Sequence, residues 1–489
     1  MNRCIKVFLV FCCCANLNVA AQNDDFQEFR NKAFADFDQF RNRILTDYDK
    51  YLQGIWERFQ GKAEEKPNDK PGPETPPVYA EPPKDTVTTV PVVPLDIPVP
   101  TIAPIDNPDA NVPTIKPVKP IMPPTSYVNV QFYDLEIKLP HTRIAKLKGS
   151  ENENIAQTWD QMKTTISDNV IQAIQYEVGS MGLNGWFTLE LVMKYINVIG
   201  PKNTPDERVI AEQYILTKLG YDVRLAKNAD NDKLLMLVPF NEKMYFTVYL
   251  EINGQRYYTI CDETNKIDHK NPPALYTCAL PKDSALGENL SLLLNDMRID
   301  SGDYQDFKIS DGRITITGSV NKSLMEMLRH YPAMNIPEYA QSSVLPDLRQ
   351  EIIKQIRPQI DGMSKLDAVN ALLHFVQYGF QYADDGSFHG YEKYYFFEEN
   401  LYYPKNDCED RAIFFGYLVK ELLGLHVQLI GYPEHESSAV RFIPENVSGD
   451  SYTCKDQRWI ISDATYLGAK AGACMPQYKT TIPDIDFEY

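Results

Sequence analysis

The sequence predicts an α+β fold in which a helix packs on an antiparallel sheet and the unit occurs twice, the first copy degenerate. Three observations carry this. DERVIAEQYILTKLGYDVRL at Asp206 to Leu225 and CEDRAIFFGYLVKELLGLHVQL at Cys408 to Leu429 share a charged opening, an amphipathic helix, a Leu-Gly stop and a short apolar strand. Downstream, GQRYYTICDET at Gly254 to Thr264 parallels DQRWIISDAT at Asp456 to Thr465, an Arg and apolar strand residues running into Asp-x-Thr in both. Between the units, residues 283–340 alternate as short strands, GRITITGSV most clearly.

The elements follow in order. Residues 1–21 have the form of a secretory signal, with Arg3 and Lys6, an apolar stretch from Val7 to Ala15, and Val19 and Ala21 at the small-residue positions before Gln22. The apolar stretch is too short to span a bilayer, and no later stretch qualifies. A lipoprotein signal acylated at Cys12, Cys13 or Cys14 is the alternative, and bulky Phe11 opposes it. Residues 22–61 repeat Asp-aromatic-x-x-aromatic at Asp25, Asp36 and Asp47, a period of 11. That period predicts a nearly straight amphipathic helix to Gln60. Residues 62–125 are Pro-rich (PGPETPPVYAEPP, PVVPLDIPVP) and read as an extended spacer that separates this helix from the rest. With no globular neighbour, the aromatic stripe is expected to drive self-association or to dock on another protein. The globular remainder divides into 126–282, the degenerate copy; 283–340, a β-rich connection; and 341–489, the second copy, with helices at Asp347 to Gln359 and Lys365 to Tyr378.

Charge and cysteine usage narrow the function. A chain of 489 residues with formal charge −18 is a poor partner for nucleic acid or an anionic membrane. Export to the periplasm or cell surface implies an oxidising compartment. Four of the nine cysteines lie in the signal, leaving Cys261, Cys278, Cys408, Cys454 and Cys474. Five is odd, so one thiol stays free. Cys-x-x-Cys and paired-His spacings are absent, so no zinc site, metal or cofactor is expected.

Cys408, His435 and Asp463 form the candidate catalytic set. Asn406 or Asp407 caps a helix, placing Cys408 in its first turn, where backbone amides favour a thiolate. Asp407, Glu409 and Asp410 oppose this by repulsion, and the sequence does not decide between the two effects. Cys408, Ala412, Phe415, Val419 and Leu422 share one helix face, which turns the thiol inward. His435 opens the strand HESSAVRF and Asp463 closes RWIISD, so antiparallel pairing brings them together. A thiol, a base and an orienting acid are the parts needed for a covalent acyl-enzyme. The Cys408 N–H is one oxyanion donor. Gln377, Gln381 and the preceding tyrosines are candidates for a second. The first copy has Pro205 and Asp206 where the second has Asp407 and Cys408, Asp230 where it has His435, and Asp262 where it has Asp463, so it keeps the scaffold without the thiol.

NDCEDRAIFFGYLVKELLG, GYPEHESSAV and WIISDATYLGAKAG resemble the transglutaminase-like superfamily, and more narrowly its large exported members in gut-type Bacteroidetes. The resemblance covers Leu345 to Pro476. It implies a papain-like core of one helix against an antiparallel sheet, with Cys408 as nucleophile, His435 as base and Asp463 as orienting acid. It leaves the substrate open, since that superfamily includes cross-linking enzymes, proteases, amidases and inactive scaffolds. Many members follow the His with a small residue and Trp, where this chain has Glu436 and Ser437. The expectation is an exported cysteine hydrolase of amide or peptide bonds with a protein or peptide substrate, the alternatives being an acyl-transferring enzyme and a non-catalytic binding module. With Cys408 kept free, Cys261–Cys278 and Cys454–Cys474 are the expected disulfides.

Overall fold

Two six-stranded sheets organise the chain in the computed structural model, which describes residues 48–65, 75–80, 94–95, 126–261, 266–280, 287–444 and 446–489. The signal and residues 22–47 lie outside the described residues. The first sheet runs Trp56–Gln60, Ala274–Cys278, Arg224–Asn228, Leu234–Pro239, Gln255–Ile260, Tyr249–Ile252, antiparallel throughout. The second runs Asp484–Glu488, His426–Tyr432, His435–Arg441, Gln457–Ile461, Ser451–Cys454, Pro94–Leu95, antiparallel except for its last pair. The architecture is mixed α+β.

Each sheet follows a helix that ends on the expected Leu-Gly. Pro205–Lys218 starts on a capping box between Thr204 and Glu207. Cys408–Leu423 ends at Gly424, whose φ of 63° is the left-handed stop that glycine adopts without strain. Counted from its helix, each sheet places its first five strands in the same spatial order, the fifth, first, second, fourth and third. The connections after the first strands differ. Four residues, 229–232, join Asn228 to Lys233, whereas only Pro433 and Glu434 join Tyr432 to His435.

The Cys408–Leu423 helix is buried almost all round, beyond what a one-sided amphipathic pattern predicts. The predicted inward face is buried at every position. The opposite side is covered too: Phe397 stacks on Phe414 at 4.4 Å, Phe380 meets Phe414 at 5.2 Å, and the C-terminal Tyr489 donates its hydroxyl to the Ile413 carbonyl at 3.0 Å. Gly416 makes room for Tyr489, whose ring lies 2.5 Å from where a Cβ would stand. Arg349, buried on the helix Pro346–Ile356, pairs with buried Glu398 at 2.6 Å and ties that helix to the segment before the cysteine. One apolar core extends from Tyr48 to Ala464.

Four expectations are corrected. The N-terminal helix does not reach Gln60. Residues 48–53 are helical, and Trp56–Gln60 is a strand on the open edge of Ala274–Cys278. The aromatic residues that continue the helical period satisfy an unpaired sheet edge better than a solvated helix, because pairing overrides local propensity. Tyr48 and Leu52 are fully buried in the core, and the Tyr48 hydroxyl accepts from the Leu225 N–H at 3.2 Å, so Tyr48 is no part of an external stripe.

The Pro-rich segment is not wholly a spacer either. Residues 75–80 run beside the Asp463 loop, with the Tyr79 N–H bonded to the Leu467 carbonyl at 2.8 Å, and Pro94–Leu95 pairs with Thr453–Cys454. The region 283–340 holds one hairpin, Tyr304–Ser310 with Thr315–Asn321, followed by helices Lys322–Arg329 and Ile336–Gln341. Asn321 caps the first of these, its side chain accepting from the Leu324 N–H.

No disulfide joins the five cysteines. Cys278 and the end of Gln255–Ile260, where Cys261 follows, stand three strands apart in the sheet. At about 4.8 Å per strand that is roughly 14 Å, beyond the Cα separation a disulfide bridges. Cys454 and Cys474 share one small apolar cluster as thiols, and burial, followed by Asp450, pushes Cys474 up to about 12.

Candidate active site

The second sheet and its helix bring the three predicted residues into one buried locality. Strands His435–Arg441 and Gln457–Ile461 pair through Ala439 with Ile461 and Val440 with Ile460. Extending that register puts Ser437 opposite Asp463 and leaves His435 its diagonal neighbour on the same face, within reach of an imidazole. His435 Nε2 and Asp463 Oδ2 are 2.8 Å apart, and both residues are almost completely buried. The strands are not joined by a simple hairpin as expected: Ser451–Cys454 lies between them in sequence and pairs on the outer side of Gln457–Ile461.

Asp463 is held as a carboxylate. Burial alone would raise its pKa, but the His435 imidazole and the Thr465 and Tyr466 amides, at 2.8 and 3.2 Å from Oδ1, bring it below the ordinary aspartate value. An ionised carboxylate only accepts, so Nε2–H donates to Asp463. Nδ1 is buried and has no hydrogen-bond partner. Tyr478 lies parallel to the imidazole at 5.6 Å and stacks on Tyr432 at 4.7 Å, fixing the ring from one side.

Cys408 is the first residue of its helix and is fully buried. Its sulfur accepts the Glu436 N–H at 3.5 Å, so thiol and imidazole flank the same turn of chain. The thiol donates to Glu409 Oε2 at 2.9 Å and not to His435. The contest left open by the sequence is decided against the thiolate: burial, then the Glu409 and Asp407 carboxylates, push the thiol well above its usual range, and the Glu436 amide offsets this only in part. In this arrangement Cys408 keeps its proton.

Gln377 is not an oxyanion donor. Its amide donates to the Asp463 and Ala469 carbonyls at 3.0 and 3.1 Å, and its oxygen accepts the Gly468 N–H at 3.0 Å. It anchors the loop that carries Asp463. Gln381 is exposed on a two-residue strand beside Lys405. Tyr382, paired with Asn406 in that same short ladder, has a buried hydroxyl without a hydrogen-bond partner. Sequence reasoning missed Gln377 as an anchor, Glu409 as the thiol's acceptor and Tyr478 as the cover of the imidazole. Only Glu409 had a signal, its place next to the cysteine.

The first sheet repeats part of the geometry with other residues. Asp206, second in its helix, accepts the Leu234 N–H at 3.0 Å, as Cys408 accepts that of Glu436. The residue before Leu234 is Lys233, so Lys233 and not Asp230 stands where His435 does. Asp230 lies in the 229–232 turn, its N–H bonded to Asn228 Oδ1 at 2.9 Å. Lys233 lies six residues before Pro239 and His435 nine before Pro444, so matching those prolines sets Asp230 against His435, whereas counting from Asp206 and Cys408 sets Lys233 there. Asp262 lies outside the described residues. No family model, curated protein or solved structure significantly matches this chain.

Proposed function

We propose that the protein is an exported cysteine hydrolase of the transglutaminase-like kind, with a papain-like core duplicated as an inactive first copy, acting on an amide or peptide bond. The observation that carries this reading is the buried His435–Asp463 pair at 2.8 Å, with Nδ1 making no hydrogen bond and the Cys408 sulfur bonded to the amide next to the imidazole. The common strand order of the two sheets supports the duplication.

In this mechanism the thiol leaves Glu409 and passes its proton to His435 Nδ1. Asp463 stabilises the imidazolium through Nε2–H. The sulfur attacks the substrate carbonyl, whose oxyanion takes the Cys408 N–H. The tetrahedral species collapses to a thioester as the imidazolium protonates the leaving amine. Water, activated by the neutral imidazole, then releases the acid. An amine in place of water would give transfer in place of hydrolysis.

A second reading, a binding module on the same scaffold, draws on the sealed thiol bonded to Glu409. Iodoacetamide labelling separates the two. The hydrolase reading expects adduct at Cys408 near neutral pH, at a rate that His435→Ala abolishes. A thiol inert in native protein, labelled only after unfolding, moves the assignment to the binding module.

A further inference from the structure

Beside Cys408 lies a group of carboxylates of which the acyl chemistry touches only Glu409, the thiol's acceptor. Asp385 opens the short helix Asp385–Phe388, Glu392 follows it, and Asp407, Glu409 and Asp410 surround the cysteine at the start of its helix. One oxygen each from Asp385, Asp407 and Asp410 lies within 4.8 Å of the others, and the same holds for Asp385, Glu392 and Glu409. Asp385 belongs to both triads. It, Asp407, Glu409 and Asp410 are each at most 3 % exposed.

Backbone amides hold two of these groups in place. Lys393 N–H donates to Asp385 Oδ2 at 2.5 Å and Tyr395 N–H to Asp410 Oδ1 at 2.7 Å. Asp407 is different: its Oδ1 is sealed from solvent and has no hydrogen-bond donor. A buried carboxylate oxygen left this way is costly unless a cation or a proton answers it. Of the neighbouring cations, Lys393 Nζ pairs with Glu399 at 2.7 Å, and Arg411 donates through Nε and Nη2 to Asn406 Oδ1 and the Phe380 carbonyl, its buried Nη1 making no hydrogen bond to any of these carboxylates.

The geometry points to a divalent cation site of the calcium class, built from Asp385, Asp407 and Asp410 with Glu392 and Glu409 adjoining. The donor set is all oxygen, which selects a hard ion. Oxygens no more than 4.8 Å apart fit around an ion whose bonds are about 2.3–2.6 Å long, since that span is the diameter of such a shell. Carboxylates drawn from two separate segments leave no metal-ligand spacing in the sequence. The site stands whether or not Cys408 is a nucleophile. It does bear on the cysteine: Glu409 Oε2 holds the thiol hydrogen, and a Glu409 drawn onto the ion would release it toward His435.

The test uses the full chain stripped with a chelator and titrated with Ca²⁺, reading thermal midpoint and the luminescence of Tb³⁺ sensitised by the adjacent tyrosines. Ca²⁺ is expected to raise the midpoint saturably and to displace Tb³⁺. Asp407→Asn should lose both responses while its ion-free midpoint stays level or rises, because carboxylate repulsion is relieved. Asp484→Asn, an exposed control for net charge, should keep both. If Asp407→Asn does not fold, Asp385→Asn is read by the same two signals. Wild type without a Ca²⁺ response, a response given by Mg²⁺ and not Ca²⁺, or variants that keep the Ca²⁺ response would overturn the site.

Discussion

His389 lies four residues before Lys393, its Nε2 2.5 Å from the Tyr395 hydroxyl and its ring against Phe388 and Tyr403. Burial first, then Lys393 and Arg329, lower its pKa to about 4. An unfolded histidine titrates near 6.5. Between those values the unfolded chain binds a proton that the folded chain does not. His389 therefore favours the native state above about pH 6.5 and loses that contribution as pH falls toward 4. Allowing for solvent screening of a partly exposed group, the loss is about 2 kcal/mol. Urea unfolding of wild type and His389→Gln across pH 4–7 should show a smaller slope in the variant, and parallel profiles would contradict this. Nothing in the sequence marked this histidine, because its neighbours come together only through the loop's own fold. The positions of Cys408 and His435 were legible because each begins a regular element, and Asp463 falls two residues past the strand Gln457–Ile461. Gln377 was not: its role depends on a loop nearly ninety residues downstream that no periodicity predicts.

At the scale of elements, the helix 48–53 and the strand Trp56–Gln60 form one hook on the first sheet, tied by the Trp56 Nε1–H bond to the Leu52 carbonyl at 3.0 Å. The 11-residue stripe marks Tyr48, which is buried, and Tyr51, which is half-buried, but not Leu52, and periodicity cannot say whose core such residues enter. Tyr48 packs edge-on against Trp159 at 5.0 Å inside the chain. Tyr48→Ala should cost about 3–5 kcal/mol, as for other buried aromatic truncations. The thermal midpoint should fall while the oligomeric state at a fixed concentration stays as in wild type. A change of mass without loss of stability would place Tyr48 at an interface. The helices Pro346–Ile356, Lys365–Gly379 and Cys408–Leu423 were legible nearly to the residue, since Pro346, Ser364, Gly424 and the Asp407 cap punctuate them, whereas the strands Ser451–Cys454 and Asp484–Glu488 were not. The turn at 229–232 was not, because hairpin length is set by backbone twist that the side-chain pattern does not encode.

Over the whole molecule, the chain before Ser126 contributes to both sheets: Trp56–Gln60 edges the first and Pro94–Leu95 the second. A chain beginning at Ser126 should leave Ala274–Cys278 as an open edge and vacate the places of Tyr48 and Leu52. It should melt lower than full length and self-associate on sizing columns. A monomer of unchanged midpoint would show these segments to be ornamental. The α+β class, and a helix running through Leu-Gly into an apolar strand at two places, were visible as residue patterns. The shared strand order was not, since it arises from pairings between strands distant in sequence.

The central claim is that Cys408, His435 and Asp463 act as one catalytic unit. Its most direct measurement is turnover of a panel of peptide and amide substrates by full-length protein and single variants. Cys408→Ala is expected to abolish turnover with the fold intact, and His435→Ala to do nearly the same. Asp463→Asn should lower it by roughly 10²–10⁴, while Asp206→Asn on the helix before the first sheet leaves it almost unchanged. Turnover that survives Cys408→Ala would contradict the account.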